Sequence, residues 1–145
     1  MCSFDYNRLK IMIMKNSNYI ELKNLEVYQL SRQLSSIAWS IYCKMTFEDK
    51  KLMGDQFLRA VDSVGANIAE GYGRYHYLDK VRFYYNSRAS HFEAFIHWLE
   101  LLFERNKIHD EEFKNIKNIA SVLQVKLNNF ITSTTKKGRD KHEKV

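Results

Sequence analysis

Residues 56–74 read QFLRAVDSVGANIAEGYGR, and this stretch decides the fold class. Large apolar side chains return in it every three or four residues, which is the period of one face of an α-helix. Gly71 and Gly73 follow the last of these side chains, and we expect a left-handed glycine to end the helix there. The stretch therefore predicts a helix over about residues 48–71, whose core stripe consists of Phe57, Val61, Val64 and Ile68.

Three further helices are predicted around this one, because the same period returns in three other segments. The first covers about residues 23–45, and Thr46 after it is placed to cap the second helix. The third and fourth cover about residues 77–106 and 110–131. Four helices with short connections predict an all-α protein that is an antiparallel up-down-up-down four-helix bundle. The remaining core stripes are predicted at Leu30, Leu34, Ile37 and Ile41, at Tyr85, Ala89, Phe92, Ile96, Leu99 and Phe103, and at Ile116, Ala120, Leu123, Leu127 and Phe130.

The composition of the 145 residues agrees with one helical domain. There is no proline and there are only five glycines, whereas an all-β chain needs many glycine and proline turns. We expect an N-terminal extension over residues 1–21, partly ordered at most, the bundle over residues 22–131, and a basic flexible tail over residues 132–145. Two cysteines are too few for a disulfide framework, and no run of about 20 apolar residues is present. A cytoplasmic protein with no membrane partner is therefore predicted.

The third helix carries more apolar surface than one core stripe needs. Phe95, Trp98 and Leu102 lie on a face next to the predicted stripe, so the apolar arc covers about half of the helix circumference. One interpretation is a thickly packed core with amphipathic aromatic residues at its edge. The other is a second buried surface, which implies self-association of the chain.

The net charge of +6 is concentrated near the C-terminus. A basic segment of this kind attracts polyanions such as nucleic acids, but it is equally common as a solubilising end. Half of the net charge comes from residues 136–145, where Lys136, Lys137, Arg139, Lys141 and Lys144 outnumber Asp140 and Glu143.

Polar stripes run along the second and third helices, away from the predicted core. The simplest interpretation is that both are ordinary solvated faces. Because buried polar groups need partners, we predict instead that some of these residues form a hydrogen-bonded network between helices or subunits, with Arg59 or Arg74 neutralising a glutamate. The predicted network consists of Asn67, Glu70, Ser90 and Glu93.

No catalytic, metal or cofactor site is predicted. Glu93 and His97 are four residues apart, and Glu70 could add a third metal ligand. Dimetal carboxylate bundles, however, use a Glu-x-x-His motif twice, and this chain has none. His91 and His97 have no nucleophile partner that the sequence identifies, and no glycine-rich phosphate loop follows a strand. A protein that is not an enzyme is therefore expected.

The stretch around the second helix resembles the signature of the 23S rRNA intervening-sequence protein family. The shared residues are Gln56, Arg59-Ala60, Ser63, Asn67-Ile68-Ala69-Glu70-Gly71 and Gly73-Arg74, with Leu25–Leu30 upstream and Phe83, Ser90 and Glu93 downstream. The sequence departs from the family pattern at Ser87 and Ala89, where the family has alanine and glycine. The resemblance covers about residues 22–130 and implies a four-helix bundle.

The resemblance also implies a function. Members of the family are encoded within bacterial 23S rRNA genes or elsewhere in bacterial genomes, and they are often described as ribosomal proteins. A related bundle, the accessory protein of diversity-generating retroelements, is a basic homopentamer that associates with a reverse transcriptase and nucleic acid. By analogy we expect a homopentamer that contacts RNA or DNA, and the alternative is a scaffold that binds another protein.

The nucleic-acid hypothesis assigns phosphate contacts to basic side chains near the second and third helices, with exposed tyrosines to stack bases. The competing interpretation places those tyrosines in the loop and at the core edge. The candidate residues are Arg59, Arg74, Lys80, Arg82, Arg88 and Tyr75, with Tyr72, Tyr77 and the C-terminal tail in support.

Overall fold

The structure is a computed structural model that describes residues 19–142. Within that range it contains four long helices and a 3₁₀ turn at Leu22–Asn24, and no strand. The predicted all-helical class is therefore confirmed, while most of the predicted extension over residues 1–21 lies outside the described residues. Helix α1 spans Glu26–Cys43 and helix α4 spans Asp110–His142. Helix α2 consists of Phe47–Asp49, a π-helical segment Lys50–Gly54 and Asp55–Tyr72. Helix α3 consists of Tyr77–Phe92, a π-helical segment Glu93–Trp98 and Leu99–Glu104.

Each helix packs on the next one along the chain, and α4 also packs on α1. Ser35 Oγ of α1 donates to Asp62 Oδ1 of α2 (2.6 Å), and Tyr42 Oη, further along α1, donates to Asp55 Oδ1, which is earlier in α2 (2.7 Å). The helices α1 and α2 therefore run in opposite directions. The four helices enclose one apolar core, and none of them is long and apolar enough to span a membrane.

The start of α2 agrees with the sequence, whereas its end does not. The Asp49 backbone N–H donates to Thr46 Oγ1 (3.1 Å), which confirms the predicted cap. The predicted left-handed glycine is wrong, because Gly73 has a φ of −75° and no glycine among residues 19–142 has a positive φ. Gly71 is needed for close packing instead, since a Cβ there would lie 2.7 Å from Tyr84 Cε1 and 3.0 Å from the Lys80 carbonyl oxygen.

The predicted core stripe of α3 is largely wrong. Tyr85, Ala89, Phe92 and Ile96 are exposed, and the buried stripe lies one residue to the side of them. Two residues of the buried stripe are polar, so the stripe does not stand out as an apolar pattern in the sequence. The buried residues of α3 are Val81, Tyr84, Ser87, His91, Ala94, Phe95, Leu99 and Leu102.

The polar members of this stripe are buried because backbone carbonyls accept their hydrogens. Ser87 Oγ donates to the Val64 carbonyl (2.8 Å), and His91 Nε2 donates to the Ala120 carbonyl (2.7 Å). The π-helical segment Glu93–Trp98 then changes the helix period, because its hydrogen bonds join residues five apart. The inner face passes through it to both Leu99 and Leu102, which the sequence had placed on different faces.

Helix α4 extends well beyond its predicted end at residue 131. The predicted tail is helical as far as His142, and residues 143–145 lie outside the described range. The inner stripe continues through Thr134, whose Oγ1 donates to the Phe130 carbonyl (2.8 Å), and through Gly138. A Cβ at Gly138 would lie 2.9 Å from Tyr77 Cβ, so glycine permits the close packing of α4 against α3.

Candidate nucleic-acid interface

The turn between α2 and α3 lies beside the last turns of α4. Tyr77, the first residue of α3, contacts Gly138, and the Lys141 ammonium lies 5.0 Å from the centre of the Tyr77 ring. Two separate basic regions of the sequence, the start of α3 and the C-terminal segment, therefore lie side by side on one surface. We call this surface the basic end; its cationic residues are Arg74, Lys80, Arg82, Lys136, Lys137, Arg139 and Lys141.

Most cations of the basic end have no acidic partner within residues 19–142. Over residues 136–142, four basic side chains accompany a single acid, Asp140. All four are exposed, and so is Arg82 on α3. Among the ion pairs of the described residues, none includes any of these five side chains. Cations in this state are the ones that can exchange their counterions for phosphates.

Two other cations of the basic end are engaged within the protein. Arg74 Nη2 is paired with Glu70 Oε1 (2.8 Å), and the Arg74 guanidinium lies 4.7 Å from the centre of the Phe83 ring. Lys80 Nζ donates to the Tyr72 carbonyl (2.8 Å), and desolvation lowers the pKa of the Lys80 ammonium. Both side chains are therefore less available for a phosphate than the five exposed cations without an acidic partner in the described chain.

The remaining two candidate arginines lie elsewhere. Arg59 is 13 residues before Tyr72, the last residue of α2, which at about 1.5 Å per helical residue separates Arg59 from that end of the helix by about 20 Å. The Arg88 guanidinium lies 4.9 Å from the centre of the Tyr85 ring, at a groove that Gln124 and Asn128 also line. The structure therefore brings only part of the predicted set together.

Of the three candidate tyrosines, only Tyr75 has a free ring. It is 89% exposed and meets only the edge of His76, at a centroid distance of 5.1 Å. Tyr72 is partly buried and its hydroxyl donates to the Ile20 carbonyl, while Tyr77 is covered by α4. Tyr75 is thus the side chain that remains available for stacking on a base.

The basic end also contains a groove that the sequence did not predict. Its volume is about 360 Å³, and it exists because α4 continues past residue 131 and passes over the start of α3. A sequence signal was present in the helical spacing of Ile131, Thr134 and Gly138, but two of these residues are not large apolar ones. The lining residues are Tyr77, Leu78, Val81, Thr135, Gly138, Arg139 and His142.

The predicted polar network does not form between helices of one chain. Asn67 Nδ2 donates to the Ser63 carbonyl of its own helix (2.8 Å), and Glu70 pairs with Arg74 one turn away. Glu93 accepts a hydrogen bond from Trp98 Nε1 (3.3 Å). Ser90 is half-buried, and within the described chain none of the four predicted residues bonds to another. A network between subunits stays a prediction.

The residues considered for metal binding do not form a set of three ligands within residues 19–142. His97 packs against the Trp98 ring (4.8 Å between centroids). His91 is buried, and desolvation lowers the pKa of its imidazole, with a further contribution from the Lys117 charge. Its Nδ1 has no hydrogen-bond partner in the described part of the chain.

Comparison with known proteins identifies a protein family and a similar solved structure. A family model described as "23S rRNA-intervening sequence protein" matches residues 23–129. A crystal structure of a protein of unknown function from the S23 ribosomal protein family of Bacteroides thetaiotaomicron is similar in fold, with a TM-score of 0.67 and 26% sequence identity. That match covers 72% of this chain and 97% of the other. No curated protein matches the sequence.

Proposed function

Because this chain belongs to the family of 23S rRNA-intervening sequence proteins, we propose that it is a non-enzymatic, oligomeric bundle that associates with RNA or DNA through basic surface residues. The basic end carries this proposal. It holds five exposed cations without an acidic partner in residues 19–142, and the exposed ring of Tyr75 lies on the turn that leads into the same end. Cations that neutralise phosphates provide affinity, and an exposed aromatic ring adds stacking on unpaired bases.

Assembly would multiply this surface. Each copy of the chain contributes one basic end, so an oligomer presents several of them to one nucleic acid at a high effective concentration. A homopentamer is our first expectation for the number of copies. Weak phosphate contacts from one chain then add up to useful affinity for a long polyanion.

A salt series on labelled RNA and DNA tests the proposal. We expect the affinity of the wild-type protein to fall steeply with salt, and the double variant Arg82→Ala with Arg139→Ala to weaken binding to unrelated sequences alike. The slope of log affinity against log salt should become shallower by about 0.7–0.9 for each phosphate contact removed. Arg82 and Arg139 are chosen because neither is in an ion pair among the described residues, whereas Arg74 is held by Glu70.

A matched control removes the same charge elsewhere. Lys51 and Lys114 are both exposed, lie outside the basic end and are not candidate binding residues, so Lys51→Ala with Lys114→Ala should leave the salt slope unchanged. Equal losses in the two double variants would mean that net charge alone attracts the nucleic acid. A wild-type protein that binds neither RNA nor DNA at low salt would overturn the proposal.

A second candidate function is a protein-interaction scaffold, such as an accessory subunit for a nucleic-acid enzyme. The apolar side chains of α3 that face solvent favour it, because exposed apolar patches mark contacts with other proteins. It takes the place of the first proposal if the protein binds no nucleic acid.

A further inference from the structure

Helix α3 has an exposed apolar face in addition to its buried one. The exposed residues return at helical spacing, as in the seam of a helix that packs against another helix. Tyr85, Phe92 and Ile96 are 45%, 45% and 47% exposed, although they are large and apolar. We call this face the outer stripe; it consists of Leu78, Tyr85, Ala89, Phe92 and Ile96.

A groove between α1 and α2 lies across the bundle from the outer stripe. Its volume is about 320 Å³, and small side chains form most of its walls. Gly65 lies at its floor, where a Cβ would come within 2.9 Å of Ser31 Oγ, so the two helices approach closely there. We call it the small-residue groove; its lining residues are Tyr28, Ser31, Arg32, Ser35, Asp62, Gly65, Ala66 and Ala69.

The outer stripe and the small-residue groove are complementary in size. Tyr85 and Phe92 are seven residues apart, which places their rings about 10 Å apart along the helix. The α2 wall of the groove, from Asp62 to Ala69, also spans seven residues and therefore about the same length. Large side chains on one surface face small ones on the other, which is the arrangement that ridge-and-groove helix packing requires.

The two surfaces are also complementary in charge. Arg88 stands beside the outer stripe on the Tyr85 ring, and Asp62 is exposed in the small-residue groove. The opposite pair is present as well, because Glu93 lies next to Phe92 and Arg32 lines the groove. Each surface thus carries one acidic and one basic side chain that can pair with those of the other surface. This complementarity favours a second copy of this chain as the partner that fills the groove.

The helix order places the two surfaces on opposite sides of the bundle. Each helix contacts its two neighbours, so the α3–α4 side lies across from the α1–α2 side. We propose that the outer stripe of one copy packs into the small-residue groove of the next copy. Such a contact joins two different surfaces, and repeating it through a closing rotation produces a ring rather than a twofold dimer. This inference rests on the self-association in the proposed function and is independent of nucleic-acid binding.

Two single variants and their mixture test the proposal by sedimentation velocity. Phe92→Asp disables the outer stripe, and Ala66→Asp disables the groove. Each variant alone should be a monomer at concentrations where the wild type assembles. Mixed at high concentration, they should form heterodimers and nothing larger, because only one intact stripe and one intact groove remain in each pair.

Val122→Asp is the matched control, since Val122 is 46% exposed on α4 and belongs to neither surface. It should assemble like the wild type, and all variants should keep the helical circular dichroism of the wild type. Asp62→Arg should weaken assembly, and adding Arg88→Asp in the same chain should restore it.

Other outcomes overturn the inference. If Ala66→Asp assembles normally while Phe92→Asp does not, the stripe pairs with itself or with a different surface. If the wild type is monomeric at every concentration, a second copy is not the occupant. Nucleic-acid binding by the monomeric variants is measured separately, so failure of the ring contact and failure of the basic end remain distinguishable.

Discussion

The two faces of helix α3 differ by a rotation of about one residue, yet they have opposite environments. Tyr84, His91 and Phe95 are at most 1% exposed, whereas the adjacent residues Tyr85, Phe92 and Ile96 are nearly half exposed. The exposed face is the more regular apolar stripe, and the buried face contains a serine and a histidine. Apolar periodicity alone therefore does not identify which face of a helix is buried within its own chain.

The buried face accommodates two of its polar atoms, Ser87 Oγ and His91 Nε2, through groups that lie on other helices. The carbonyls of Val64 on α2 and Ala120 on α4 accept the hydrogens of Ser87 and His91. A buried polar group with such a partner costs little, whereas one without a partner costs about 1–3 kcal/mol. No pattern within α3 reveals where those carbonyls will be.

Truncating one phenylalanine on each face gives the largest expected contrast. Phe95→Ala should lower the free energy of unfolding by about 3–5 kcal/mol, because it leaves a cavity in the core. Phe92→Ala should change the stability of the dilute protein by no more than about 0.5 kcal/mol. Denaturant unfolding at low protein concentration measures both. Similar losses for the two variants would contradict the assignment of the faces.

Gly71→Ala tests how tightly the inner face of α3 packs against α2. The new Cβ would meet the Tyr84 ring and the Lys80 carbonyl, so we expect a loss of about 1–3 kcal/mol from overpacking. Gly73→Ala is the control, because its Cβ would meet nothing closer than 3.6 Å. Thermal unfolding of both variants should show a lower Tm for the first only. An unchanged Tm for Gly71→Ala would mean that the helices separate there at little cost.

The buried histidine predicts a pH dependence of stability. Burial lowers the pKa of His91 in the folded state below its ordinary value of about 6.5, and the Lys117 charge acts in the same direction. The contribution of His91 is therefore complete above that pH and decreases as the pH falls, by at most about 1.4 kcal/mol per pH unit for one proton. His91→Gln should flatten the profile of unfolding free energy between neutral and mildly acidic pH.

His97→Gln is the comparison for this measurement, because His97 is exposed. It should leave the pH dependence in place. If the two variants had the same profile, burial of His91 would not be the cause.

Glu70→Ala should have the smallest effect. Glu70 is exposed and pairs with Arg74, which lies just past the end of α2, and exposed ion pairs contribute about 0.2–1 kcal/mol. The buried network predicted from the sequence would imply a larger loss, of about 1–3 kcal/mol. A loss above about 1 kcal/mol at concentrations where the chain assembles, absent on dilution, would restore that network as a contact between subunits.

The sequence predicted the helical class, the approximate ends of the first three helices and the core stripe of α2, because Phe57, Val61, Val64 and Ile68 need only their own helix period to be recognised. It missed the last turns of α4, because Thr134 and Gly138 are buried for their small size and not for apolar character. The sequence did not predict the basic end either, because that surface depends on the same last turns of α4. Its two halves meet only where Gly138 lets α4 pack on Tyr77.

The central claim is that the outer stripe of one copy is covered by the next copy. Solvent access to the outer stripe, measured as a function of protein concentration, tests this claim most directly. Ala89 lies between Tyr85 and Phe92, so Ala89→Cys places a thiol in the middle of the stripe; Cys2 and Cys43 are replaced by serine. Ser40→Cys on the exposed side of α1 serves as the reference position. We predict that the maleimide labelling rate at position 89 falls as the protein concentration rises, while the rate at position 40 stays constant. A rate at position 89 that is independent of concentration, at concentrations where the protein assembles, would contradict the account, because the outer stripe would then be uncovered in the assembled protein.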